Sequence, residues 1–92
     1  MLFIFPQPRR LSFWMRNTAI PLDIGFFDSD GVLSEIHQLQ PFDERPVVSE
    51  SAGLRFALEV NRGWFAAHEV NVGARLDLQA LAGILAQRKA VD

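Results

Sequence analysis

Apolar and polar residues alternate with a period of two over much of this chain, which is typical of strands that place one face on a core. The clearest case is Leu54 to Asn61, in which every second residue is a large apolar one. The stretch Ile20 to Phe27 shows the same alternation. Because proline cannot donate to a sheet ladder, Pro21 indicates that this second strand begins there or lies at an edge.

Three further segments complete a strand-rich pattern. Met1 to Phe5 is an apolar run that predicts a short buried strand, stopped by Pro6. Asp28 to Gly31 has the composition of a turn, so Val32 to Leu39 is predicted to be the return strand of a hairpin. The polar stretch Pro41 to Gly53 is predicted to be a surface loop.

The C-terminal third predicts short helical pieces. Asn61 can cap a helix over residues 62–69, which would turn Trp64, Ala67 and Val70 inward. Residues 74–78 then predict a last strand. Residues 79–90 form a weakly amphipathic pattern that Gly83 makes a marginal helix. We therefore expect one domain over residues 1–78 and a helical tail over residues 79–92.

Composition excludes several classes of protein. The 92 residues carry a net charge of −2 and their basic residues are scattered, so we expect no nucleic-acid partner. The chain has no cysteine, and hence no disulfide and no thiolate nucleophile. No apolar run approaches the roughly 20 residues that cross a bilayer. Neither a signal peptide nor a membrane span is recognisable, which leaves localisation unknown and, for the chain as given, cytoplasmic.

Few residues have the spacing of a known chemical site. His37 and His68 are isolated from one another, which gives no metal site, and no glycine-rich phosphate loop supports a nucleotide cofactor, so we expect no cofactor at all. Glu35 and His37 lie two positions apart on one strand face, where a carboxylate can orient a general base. Two solvated strand residues would have the same spacing.

The most unusual stretch is a polar run between two apolar ones. Its candidate binding residues are Trp14, Arg16, Asn17, Thr18 and Asp23. Arg16 can form a bidentate pair with a carboxylate, either that of Asp23 or one on a ligand. Because buried polar groups need partners whether or not a ligand exists, the run is either a hydrogen-bonded plug or a ligand site.

The same stretch carries a family resemblance. Met1-Leu2-Phe3-Ile4-Phe5, together with Phe13-Trp14-Met15-Arg16-Asn17-Thr18-Ala19-Ile20-Pro21-Leu22-Asp23, resembles the DUF192 (UPF0127) family of small prokaryotic proteins. The resemblance continues through residues 28–31, 58–64 and 72–74 and covers about residues 1–78. It implies a mainly β fold, a single small β sandwich or barrel-like domain with one short helix after the fourth strand and a possible C-terminal helix.

Two departures from the family pattern limit what the resemblance implies. Relatives commonly carry a Pro-Cys motif where this chain has Pro41-Phe42-Asp43, so a redox role is not expected here. Relatives also usually have a segment before the first strand, so this chain resembles an N-terminally short member. We therefore expect a symmetric homodimer, in which sheet edges or the amphipathic tail cover the strand at residues 1–5.

The resemblance brings no agreed activity, which leaves two functional hypotheses. The first is a non-enzymatic binding or assembly module for a small-molecule or protein ligand, centred on the polar run. The second is a small hydrolase or carbohydrate-active enzyme, which would need two facing acidic or histidine side chains at a pocket. The candidates for that role are Asp23, Glu35, His37 and Glu59.

Overall fold

The computed structural model describes residues 1–14, 19–43 and 45–77. Its strands and helix, in chain order, are β1 (Leu2–Arg9), β2 (Ser12–Phe13), β3 (Leu22–Asp28), β4 (Leu33–Leu39), β5 (Val47–Val48), β6 (Leu54–Asn61) and α1 (Trp64–Ala67). Of the predicted strand at residues 74–78, the described residues 74–77 form a single bridge, between Arg75 and Val32. The predicted tail at residues 79–92 lies outside the described residues.

The strands form two antiparallel sheets. Four of them make the larger sheet in the order β1-β6-β3-β4, and β2 pairs with β5 in the smaller one. The mainly β class with one short helix after the fourth long strand is thus confirmed. Neither sheet closes on itself within the described strands, so the barrel-like alternative does not describe this fold.

β3 is buried on both faces, which corrects the expectation of a one-sided strand. Ile24 and Phe26 are completely buried in one apolar cluster, which β2 and β5 cover. Phe27 belongs to a second cluster on the opposite face, where Phe65 of α1 packs. A central strand between two apolar layers is expected to be apolar on both sides, which explains why Phe27 breaks the alternation of β3.

A bulge in β6 divides its apolar residues between the two faces. Phe56 pairs with Phe27 and Leu54 with Asp28, so Arg55 is the extra residue. Leu54 consequently joins the cluster of Ile24, whereas Phe56 lies in the cluster of Phe65. A strict period-two interpretation had placed both on one face.

Proline does not stop β1, contrary to the prediction. The strand runs through Pro6 and Pro8 to Arg9, with an irregular register between Ile4 and Arg9. Because β1 is at the edge of the sheet, a proline there removes no ladder hydrogen bond that a neighbour requires. The Arg55 side chain fills the irregular stretch by donating from Nε to the Phe5 carbonyl at 3.0 Å.

The helix is shorter than predicted and buries a different residue. Gly63, with φ 87°, occupies the cap position predicted for Asn61. Phe65 is the buried residue of α1, whereas Ala67 is exposed and Trp64 only half-buried. Gly25 makes room for it, because a Cβ at Gly25 would lie 2.7 Å from Cζ of Phe65. The helix therefore docks on the one point of β3 that has no side chain.

Candidate functional site

Trp14 borders a pocket at the end of the smaller sheet. The pocket has a volume of about 280 Å³, and its described lining consists of Ser12, Trp14 and Pro46. Trp14 remains 53% exposed, which is unusual for the largest side chain in a small domain. The described part of the pocket wall is thus an indole ring and a proline ring beside one hydroxyl.

Aromatic packing fixes β2, which precedes the pocket. Phe13 packs against Phe3 and Phe26, with ring centroids 5.0 and 5.8 Å away. Phe13 also pairs with Val47 of β5, and Pro46 immediately precedes that residue. Two walls of the pocket are therefore attached to the core through neighbouring residues.

A buried serine joins the loop after β5 to the residue before β2. The Ser49 hydroxyl accepts from the Leu11 amide at 2.9 Å and donates to the Ser51 carbonyl at 2.8 Å. The Ser49 amide donates to the Leu11 carbonyl at 2.8 Å. The predicted surface loop at residues 41–53 therefore contains a strand. With only two residues, β5 is too short to show an alternation of apolar and polar positions in the sequence.

Of the five candidate binding residues, the structure describes only Trp14 and Asp23. Arg16, Asn17 and Thr18 lie outside the described residues. Trp14 lines the pocket, whereas Asp23 is buried with 7% exposure at the start of β3. Asp23 pairs with Val60, on the sheet face opposite to Ile24 and Phe26. The two described candidates therefore occupy different environments.

Asp23 takes part in a polar cluster with Arg62 and Gly63. Its Oδ2 accepts the Gly63 amide at 2.8 Å, directly before α1. Its Oδ1 lies 3.1 Å from Nε of Arg62, an ion pair with 30% exposure of the Arg62 side chain. That Oδ1 receives no hydrogen bond, because the Nε hydrogen is directed toward the Leu22 carbonyl at 3.4 Å.

Arg62 connects three strands of the larger sheet. Its Nη2 donates to the Leu39 carbonyl at 3.0 Å, and its amide donates to the Pro21 carbonyl at 3.3 Å. The end of β6 is thereby joined to the beginning of β3 and the end of β4. Arg62 is not among the residues predicted for the site. Its place between the end of β6 and Gly63, where a strand turns into a helix, is the one sequence feature that could have indicated a structural role.

Glu35 and His37 form the closest pair of enzyme candidates. Nε2 of His37 lies 2.7 Å from Oε1 of Glu35, and the His37 ring packs on Phe26 with centroids 5.3 Å apart. Glu35 also accepts the Glu50 amide at 3.1 Å and the Ser51 amide at 2.9 Å. The carboxylate thus orients the imidazole and holds the loop after β5.

The electrostatics of Glu35 and Glu59 differ in sign. Burial alone would raise the pKa of Glu35, but the hydrogen bonds from His37 and from the Ser51 and Glu50 amides outweigh it, and the pKa is lowered. Burial raises the pKa of Glu59. The surroundings therefore favour the ionised form of Glu35 and disfavour the ionised form of Glu59.

The four enzyme candidates do not meet at one point. His37 and Glu59 both pair with Ile24, so they share a face but are two strands apart, roughly 9 to 10 Å. Asp23 is on the opposite face. Within the described ranges, no three His, Asp or Glu side chains come together as a metal site would require, and no helix is long and apolar enough to cross a membrane.

Comparison with known proteins gives a family and a fold but no activity. The family model of DUF192, described as "Uncharacterized ACR", matches residues 1–78. A Sinorhizobium meliloti 1021 protein described as a "putative transcription regulator" is 37% identical with a TM-score of 0.77, over 82% of this chain and 58% of that one.

A Novosphingobium aromaticivorans DSM 12444 protein of unknown function is also 37% identical, with a TM-score of 0.74, over 82% of this chain and 54% of that one. The chain therefore spans little more than half the length of these two structures. No functionally curated protein matches the sequence.

Proposed function

We propose that this chain, which belongs to the uncharacterised DUF192 family, is a non-enzymatic binding or assembly module whose ligand contacts centre on Trp14. The observation that carries the proposal is the half-exposed indole beside a pocket of about 280 Å³. Ligand sites are concave and largely apolar, with few polar groups. This volume suits a small molecule or a single side chain of a protein ligand.

A carboxylate is the ligand group that the neighbouring sequence favours. Arg16 follows Trp14 by two positions, and a guanidinium pairs bidentately with a carboxylate. The sequence analysis considered Asp23 as a carboxylate partner of Arg16 within the chain. Asp23 instead forms an ion pair with Arg62 and accepts a hydrogen bond from the Gly63 amide. We therefore extend the proposed site to Arg16, Asn17 and Thr18 and assign Asp23 to the structural cluster that it forms with Arg62 and Gly63.

Benzoate is a suitable probe, because it presents a flat apolar ring and one carboxylate. In a Trp64→Phe background Trp14 is the sole tryptophan, and its fluorescence reports directly on the pocket. We expect saturable quenching by benzoate and weaker quenching by benzamide, which has the same ring without the charge. Arg16→Gln should remove the preference for benzoate and leave the response to benzamide unchanged.

The matched control is Val48→Ala, which trims an exposed apolar residue of β5 next to the pocket. Benzoate should quench this variant as it quenches the parent. Linear quenching without saturation, or equal responses to the two probes, would contradict the proposal.

An enzymatic role has weaker support. The carboxylate of Glu35 contacts His37 and accepts hydrogen bonds from two backbone amides. The carboxylate of Asp23 accepts the Gly63 amide and forms an ion pair with Arg62. A general acid or a nucleophile needs an accessible oxygen in a pocket. His37, oriented by Glu35, and Glu59 remain as candidate bases, but they lie two strands apart, and the best-supported function is binding.

The assembly part of the proposal is a homodimer. The sequence places β1 at the expected dimer interface, and β1 is an edge strand of the larger sheet. Pro6 and Pro8 lie within it, however, and prolines and register irregularities are features that protect edges from pairing. A nucleic-acid role like that in the description of the Sinorhizobium protein has no support from the net charge of −2.

A further inference from the structure

The opposite edge of the larger sheet is β4, which from Glu35 to Leu39 has neither the prolines nor the register irregularity that protect β1. Its sequence, LSEIHQL, contains neither proline nor lysine, the residues that commonly protect an edge. The segment at residues 73–76 covers only its beginning, where the Leu33 amide donates to the Ala74 carbonyl at 2.7 Å and the Leu33 carbonyl accepts the Gly73 amide at 2.8 Å. Both polar backbone groups of Leu33 therefore point away from β3.

The register identifies which later residues point outward. In an antiparallel pair, residues alternate between those that bond to the partner strand and those that point away from it. Leu33 pairs with Phe27, and after the bulge at Ser34 the next non-bonded positions are Ile36 opposite Gly25 and Gln38 opposite Asp23.

The other side of β3 agrees with this assignment. The Pro21 carbonyl bonds to Arg62 at the end of β6, so the odd-numbered residues of β3 direct their backbone groups to β6 rather than to β4. Among the described residues, no backbone hydrogen bond reaches Ile36 or Gln38 from beyond the edge. Two amides and two carbonyls are thus presented at an i, i+2 spacing.

From this geometry we propose that β4 is the dimer seam, pairing antiparallel with β4 of a second copy so that Ile36 bonds to Gln38 of its twin and Gln38 to Ile36. This proposal rests on the assembly half of the proposed function and names its interface. The twofold axis passes beside His37, and four backbone hydrogen bonds join the two sheets into one.

The side chains of β4 are compatible with a second copy of the same strand. Ile36 and Gln38 are two residues apart, so two copies of β4 that run in opposite directions can bring Ile36 of each opposite Gln38 of the other. In that twofold register every outward-pointing backbone amide and carbonyl between residues 35 and 39 is hydrogen-bonded. Each His37 that meets its twin has Glu35 of its own strand at 2.7 Å, so its ring nitrogen has a partner that does not depend on the second copy. Ile36 gains apolar contact with the stem of the facing Gln38.

Gln38→Pro tests the seam with little disturbance of the monomer. Gln38 is exposed and its amide points outward, so proline removes a donor that β3 does not use. Light scattering coupled to size exclusion should give twice the 10.4 kDa monomer mass for the parent at micromolar concentration and the monomer mass for Gln38→Pro. Gln38→Ala keeps the amide and should remain dimeric.

Amide exchange of the parent provides a test that needs no variant. The amides of Ile36 and Gln38 should exchange slowly at high protein concentration and quickly on dilution, while the amide of His37, which bonds within the sheet, stays protected at both. A monomer mass for the parent, or concentration-independent exchange at Ile36 and Gln38, would overturn the proposal. Benzoate binding at Trp14 would survive that failure, so the two proposals fail separately.

Discussion

Two polar regions of this domain differ in how completely the fold uses them. Around Asp23, one carboxylate oxygen accepts the amide before α1, the other forms an ion pair with Arg62, and Arg62 joins the ends of three strands. At Trp14, an indole that the core could have buried is held half in solvent beside a pocket. The comparison teaches that a buried polar cluster stabilises a fold, whereas a half-exposed aromatic ring beside a cavity buries less surface and leaves apolar area for a ligand.

The largest expected effect is the loss of the Asp23 cluster. Asp23→Ala leaves the Gly63 amide without its acceptor and the Arg62 guanidinium without its counter-charge, and removing one partner from a largely buried pair should cost about 2 to 3 kcal/mol of unfolding free energy. Urea denaturation measures it. Trp14→Ala is the matched comparison and should cost less, about 1 kcal/mol, because about half of the indole is already in solvent. Equal losses in the two variants would remove the distinction between the regions.

The next effect comes from the contact that docks α1 beside the Asp23 cluster. Gly25→Ala places a methyl group 2.7 Å from the Phe65 ring, and overpacking of a filled core costs about 1 to 3 kcal/mol. A fall in melting temperature measures it. Gly53→Ala is the control, because the nearest atom to a Cβ there is the Ser51 hydroxyl at 3.9 Å. Retention of full stability by Gly25→Ala would mean that α1 can shift without cost.

A smaller effect depends on pH and concerns the loop beside the pocket. The lowered pKa of Glu35 means that its contribution to stability is present above its ordinary pKa of 4.5 and is lost as the pH falls through the lower folded-state value. Glu35→Gln should therefore lose about 1 kcal/mol at neutral pH and progressively less in acid.

Glu59→Gln gives the opposite sign and serves as the internal control. Its raised pKa means that protonation favours the folded state, so the stability it contributes is present in acid and is lost as the pH rises through the folded-state value. The variant should match the parent in acid and exceed it at neutral pH. Denaturation at several pH values checks both variants, and parallel profiles would refute the assignment.

The smallest expected effect is that of removing the tail. We propose that residues 79–92 are an addition to the domain, since the family match ends at residue 78. A chain ending at Leu78 should keep its circular dichroism spectrum and its melting temperature. Loss of soluble protein would indicate instead that Leu81 and Leu85 complete the core, and a loss confined to dimer mass would place the tail in the interface.

The sequence predicted the long strands and the hairpin because these depend on local alternation and turn composition. Asp28 shows the success, since its Oδ1 accepts the Asp30 and Val32 amides at 2.9 Å, as expected of an Asp at the first position of this turn. What failed depends on tertiary position. An edge strand tolerates Pro6, a central strand buries Phe27, and a bulge at Arg55 reverses the faces of β6.

The candidate site was predictable only in part, and for the same reason. Trp14 was recognisable as an aromatic residue next to a polar run, and the pocket contains it. The partner of Asp23 was not, since Arg62 lies 39 positions further along the chain and reaches Asp23 only because β6 runs beside β3. Spacing along a sequence identifies contacts within a strand or a turn, and a sheet of order β1-β6-β3-β4 brings together residues that no local pattern joins.

The most direct test of the division between the two regions is a thermal melt of the parent and of Trp14→Ala, each with and without millimolar benzoate. A ligand that binds the folded state raises the melting temperature. We predict a small fall in melting temperature for Trp14→Ala without benzoate, an upward shift for the parent with benzoate, and no benzoate shift for Trp14→Ala. A large loss of stability in Trp14→Ala without benzoate, or the same benzoate shift in both proteins, would contradict the account.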